Sequence, residues 1–115
     1  MDTHIELFVR GRSDVVAALR AYATRRLTFA VKRFAHRVRR VTVRLTDENG
    51  PRRGLDARCA ITADFADRGP LFVEATAAWP FAAVTDAAAR LSEALRRDAD
   101  RHGAHRTRSA RAAAY

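Results

Sequence analysis

The 115 residues are 48% hydrophobic and 30% charged, with one cysteine and a formal charge of +9. That length holds one domain around one modest core, which excludes two-domain enzymes, TIM barrels and long solenoids. No apolar run approaches the roughly 20 residues that span a bilayer, and Cys59 alone can neither close an internal disulfide nor build a zinc site.

Residues 4–10 place Ile5, Leu7 and Val9 on one face, the period of a half-buried strand. Gly11 ends it, and Ser13 or Asp14 can cap a helix beginning there, because a side-chain oxygen accepts a free amide of the first helical turn. From Val15 to about Arg37, apolar residues at 16, 19, 23, 27, 30 and 34 give the rhythm of an amphipathic helix. The period then changes to 2: Val41, Val43 and Leu45 alternate with Arg40, Thr42 and Arg44 in a second strand. Asp47-Glu48-Asn49-Gly50-Pro51 is turn chemistry, extended by Arg52-Arg53-Gly54.

Ala57, Cys59, Ile61, Ala63 and Phe65 mark the inward phase of a third strand, and Leu71, Val73 and Ala75 that of a fourth after the turn Asp67-Arg68-Gly69-Pro70. Pro80 suits the first turn of a helix, where its missing N–H costs nothing. Phe81, Val84, Ala88, Leu91 and Leu95 carry that helix to about Arg101, with Gly103 as its expected stop. Trp79 is expected to cover the end of the core beside Phe81. Residues 1–101 read as the domain and 102–115 as a basic, mobile tail.

The expected fold is α+β, in the order β-α-β-β-β-α. It places a four-stranded sheet under two helices on one face, with the first strand joined by a right-handed crossover. The opening residues, with no basic region or apolar block, predict no signal peptide. With the lone cysteine they predict a soluble, cytoplasmic protein.

Charge is unevenly distributed. Residues 15–46 hold nine basic residues and no acid, and residues 101–115 hold four more, again without an acid. The remainder has nine basic and thirteen acidic groups, net −4. Such a polarised footprint suits a polyanion. The excess of 21 arginines over the single Lys32 is what a GC-rich coding sequence produces, so position rather than residue choice carries the reading.

Catalysis finds no support: the four histidines are scattered, no glycine-rich phosphate loop occurs, and Cys59 lies on the inward phase of a strand. The chain is read as non-enzymatic, with no cofactor, metal or small-molecule substrate. On a wheel of the first helix, Arg26, Arg33 and Arg37 share one flank, with Tyr22 and Phe29 beside them as stacking candidates. The alternative for the two rings is padding of the helix edge. In the second helix Arg90, Arg97 and Arg101 align, but Asp86 and Glu93 stand four residues before Arg90 and Arg97, the favourable spacing for helical ion pairs. Arg96 has no such partner by spacing. The first helix is therefore expected to bind RNA more strongly than the second.

Collinear segments carry a resemblance to the bacterial ribosome hibernation promoting factors, also called ribosome-associated inhibitor or sigma-54 modulation proteins. They are the strand ending at Gly11, Leu19-Arg20-Ala21-Tyr22 with Arg26-Leu27, Phe34 to Val43, Leu71 to Ala75, and Ala89 to Arg97. The α-β-β-β-α portion also resembles the double-stranded RNA-binding domain, which lacks the leading strand.

The hibernation-factor resemblance implies a short-form factor that binds the small ribosomal subunit through 16S rRNA and blocks the tRNA and messenger path under stress. Its RNA-contacting positions would be Arg20, Arg26, Arg90, Arg96 and Arg97. The chain departs from the family pattern at Trp79-Pro80-Phe81, Glu93 and Ala60. The alternatives are a diverged protein-interaction or stress-regulatory module, and a stand-alone binder of structured RNA.

Overall fold

The computed structural model describes residues 3–10, 13–47 and 57–113, giving the backbone alone at 13, 14, 102 and 104–113. Strand β1 (His4–Arg10) leads into helix α1 (Ser13–Val31) and a 3-10 turn (Lys32–Phe34). Strands β2 (Val38–Asp47), β3 (Ala57–Phe65) and β4 (Leu71–Ala77) and helix α2 (Pro80–Ala113) complete the chain order. The sheet order is β1-β2-β3-β4. β1 pairs parallel with β2, and the other pairs are antiparallel. This is the expected β-α-β-β-β-α domain, with α1 as the crossover between the parallel strands.

The alternation read from the sequence is the alternation of burial. Val41, Val43 and Leu45 of β2 and Ala57, Cys59, Ile61 and Ala63 of β3 meet Leu19, Ala23 and Leu27 of α1 and Val84, Leu91 and Leu95 of α2 in one apolar core. Burial pushes the Cys59 thiol up to about 12, so it behaves as a small hydrophobe. Val16 and Phe34, counted as core positions by spacing, are only half-buried. No helix among the described residues is long and apolar enough to cross a membrane.

Three boundaries differ from expectation. The first helix ends at Val31 rather than near Arg37, tightening through the 3-10 turn; the chain leaves it early because Val38 is drawn into the core, 1% exposed. A bulge between Val38 and Arg40 then sends both Arg39 and Arg40 outward, so strict alternation begins only at Val41. Gly103 does not stop α2, which runs to Ala113. One glycine costs a helix about 1 kcal/mol, and the alanines and arginines beyond it are strong helix formers. The expected tail is thus helical in backbone over most of its length. The capping side chains at 13 and 14 and the loop 48–56 lie outside the described residues.

At the start of α2 the Trp79 carbonyl accepts the amide of Ala83 at 3.1 Å, making Pro80 the first helical residue, as expected. The indole itself does not close the core. It is 56% exposed and stacks on the Phe81 ring at 5.4 Å, because proline and the buried face of α2 turn it toward solvent.

Candidate nucleic-acid interface

α1 and α2 lie against each other above the sheet, linked by Tyr22. Its ring tilts against Phe81 at 5.4 Å and its hydroxyl shares a 2.5 Å hydrogen bond with Thr85 Oγ1. Tyr22 is therefore a half-buried bridge between the helices, the edge-padding alternative for this ring. Arg25 lies 5.8 Å from its centroid. Phe29 is the opposite case, 71% exposed with the Lys32 ammonium 5.5 Å from its ring.

Between the end of α1 and the middle of α2 runs a groove of about 430 Å³, lined by Phe29, Lys32, Arg33, Phe34, Glu93 and Arg96 among others. Neither Lys32 nor Arg33 is paired with a described carboxylate. The arrangement is two free cations beside an exposed ring, which suits a phosphate backbone with a base or sugar against the aromatic face. Lys32, which the sequence reading did not count among the binding positions, lines the groove as well. It is the first residue of the 3-10 turn that follows Val31.

The other arginines are dispersed. Arg26 is half-buried, its Nε enclosed without a hydrogen-bond partner among the described residues. Arg20 reaches away from the groove and donates to the Leu7 carbonyl at 3.3 Å. Arg37, placed by spacing on the binding flank, is withdrawn. Its side chain is 11% exposed, pairs with Asp98 at 2.8 Å and lies 5.3 Å from the Phe65 ring. Asp98 also accepts from Arg68, whose guanidinium lies 5.1 Å from the same ring. Burial alone would raise the Asp98 pKa, but the hydrogen bonds and charges of Arg37 and Arg68 outweigh it and hold the carboxyl below its ordinary value. This clamp ties the α1–β2 connection, the β3–β4 turn and α2 together. No local spacing announces it, since Arg37 and Asp98 are 61 residues apart.

On α2 the ion pairing is denser than spacing indicated. Arg97 bonds Glu93 at 3.3 Å, the expected pair. Arg90 does not turn to Asp86 but donates to the Glu74 carbonyl of β4. Arg96, expected without a partner, bonds Glu93 at 2.6 Å and Asp100 at 3.3 Å; the i,i+3 and forward i,i+4 positions supply what the backward i−4 position lacks. The Arg96 hydrogen bond holds the Glu93 carboxyl below its usual pKa, helped by the charges of Arg96 and Arg97. Arg97 and Arg101 look toward the β3–β4 side, lining a separate cleft of about 350 Å³ with Arg68 and Phe72. Of the ten positions singled out by sequence, the structure gathers Phe29, Arg33 and Arg96 at one groove and scatters the rest. Among the described residues no group of three or more His, Cys, Asp or Glu side chains is placed to hold a metal ion.

Residues 7–102 match the family described as Sigma 54 modulation protein / S30EA ribosomal protein. No curated protein matches the chain. Among solved structures, the crystal structure of the Thermus thermophilus Protein Y N-terminal domain is similar. Its TM-score is 0.63 at 25% sequence identity, covering 84% of this chain and 98% of that one. Because the match runs from the middle of β1 deep into α2, and so reaches every strand and both helices, the chain belongs to the sigma-54 modulation protein / S30EA ribosomal protein family.

Proposed function

We propose that this protein is a non-catalytic, cytoplasmic hibernation factor. It docks its helical face on 16S rRNA of the small ribosomal subunit and obstructs the tRNA and messenger path. The observation that carries the reading is the groove at the end of α1, where Lys32 and Arg33, paired with no described carboxylate, stand beside the exposed ring of Phe29. The family supports the ribosome as the partner, and the structural similarity to Protein Y agrees with it. Phosphate oxygens would replace water around these cations and release condensed counterions, while the bulk of the domain occludes the path.

Cosedimentation with 30S and 70S particles tests this. If about six phosphates are neutralised, affinity falls on the order of a thousandfold between 50 and 200 mM salt. Lys32→Glu plus Arg33→Glu abolishes association and inhibition of in vitro translation, whereas Arg90→Glu plus Arg97→Glu weakens both only in part. The two variants make the same change in net charge, and both must keep the wild-type far-UV circular dichroism. Salt-insensitive binding, or a larger loss from the α2 variant, refutes the assignment of the groove.

A further inference from the structure

The β1 edge of the sheet carries a second cationic site, apart from the helical groove. A cleft of about 480 Å³ opens at β1, lined by Phe8, Arg10, Arg20, Arg44 and Thr46 together with apolar residues of β1 and β2. Its volume falls in the range of small-ligand sites, roughly 300–1,000 Å³. We propose that this cleft binds a nucleoside phosphate.

Three guanidinium groups come to the cleft from three elements, and among the described residues no carboxylate lines it. None of the three is ion-paired with a described residue. The nearest acid along β1, Glu6, is taken by His4 at 3.4 Å and Arg40 at 3.7 Å, and Glu74 of β4 is taken by Arg58. Arg20 spends one N–H on the Leu7 carbonyl, and a guanidinium has five. Gathering like charges with no described counter-charge among them gains nothing for folding, whereas a bound anion relieves the repulsion. Paired N–H donors on a planar fork match phosphate oxygens.

The cleft also has a flat wall. Phe8 is 48% exposed and pairs across the parallel ladder with Arg44, whose guanidinium lies 5.0 Å from the ring centroid. Stacked aromatic and guanidinium planes of this kind accept a nucleobase. Thr46, opposite Arg10 in the register, adds a hydroxyl suited to a ribose. A phosphate-only ligand would leave the ring unused. Base, sugar and phosphate together use the ring, the hydroxyl and the charges.

The test is a titration of the intact ¹⁵N-labelled protein at low salt without magnesium, using ATP, inorganic triphosphate and a five-residue adenosine RNA. ATP is expected to give saturable amide shifts at Phe8, Arg10, Arg44 and Thr46. Arg10→Gln plus Arg44→Gln should weaken it at least tenfold. Phe8→Leu, a milder change at an exposed position, should weaken ATP by roughly five- to a hundredfold, the worth of one stacked base, while leaving inorganic triphosphate unchanged. Lys32→Glu plus Arg33→Glu should bind ATP as the wild type does, which separates this site from the ribosomal reading. An RNA bound at the same residues more than tenfold tighter than ATP places the nucleotide in a strand, and equal or weaker binding makes it a free nucleotide. Absence of saturable shifts at the cleft, unchanged affinity in the glutamine variant, or inorganic triphosphate binding as tightly as ATP would each overturn the proposal.

Discussion

Replacing Asp98 with Ala tests the clamp that holds the ends of the fold together. Asp98 is 5% exposed and bonds Arg37 at 2.8 Å and Arg68 on its other oxygen. Removing the carboxylate strands the Arg37 guanidinium, whose side chain is 11% exposed and whose Nε already has no hydrogen-bond partner among the described residues. Breaking one side of a buried pair costs about 3–5 kcal/mol, mostly the desolvation of the charge left behind. For a domain of this size that is roughly 10–25 °C in melting temperature. The same group gives a pH dependence of known sign. Its folded pKa lies below the ordinary 3.8, so the stabilisation is complete above about pH 4 and is lost as pH falls through the depressed value. The Ala variant should show a correspondingly shallower acid destabilisation. Urea unfolding at pH 7 and at pH 3 measures both, with Arg37→Met plus Asp98→Leu as the second arm, since removing both charges costs less than removing one. A loss under 1 kcal/mol, or a double variant no more stable than Asp98→Ala, refutes the reasoning.

Trp79→Ala should cost only about 1 kcal/mol, the worth of one stacked aromatic pair, because the indole is more than half exposed; a loss of several kcal/mol by chemical denaturation would mean that the ring closes the core after all. Cys59, fully buried with its thiol pushed up to about 12, should resist an aromatic disulfide reagent at pH 8 in the native protein and react at once in denaturant. Rapid native labelling would contradict its burial.

The fold was legible because the sheet and both helices declare themselves by period. Inward strand residues recur every second position, and the core faces of α1 and α2 recur at helical spacing. What spacing cannot carry is the place where one element yields to the demands of another. α1 stops at Val31 because Val38 belongs to the core, and the bulge at Arg39 is invisible in a run of basic residues. The site was less legible for the same reason. Arg37 and Arg33 sit on one flank of a regular helix, but α1 has tightened and ended before Arg37, which then meets Asp98. Arg96 has no acid four residues before it, yet Glu93 three before and Asp100 four after both reach it. Wheels locate faces, whereas ion pairs between elements decide which charges on those faces stay free.

That distinction explains how two helices of similar basicity come to differ. In α2 acids are interleaved with arginines, so Glu93 and Asp100 neutralise Arg96 and Arg97 within the helix, and an arriving phosphate must displace them. In the stretch from 15 to 46 no acid is available, and a cation there is neutralised only when another element reaches it, as Asp98 reaches Arg37 and Glu6 reaches Arg40. Lys32 and Arg33 are reached by neither. They stand just past the C-terminal end of α1, where the helix dipole supplies about half a negative charge. Half a charge steadies two full positive charges without cancelling them. The surplus lies beside the exposed ring of Phe29 rather than being spread over the molecule, which is why charge reversal at these two positions should outweigh the same reversal on α2.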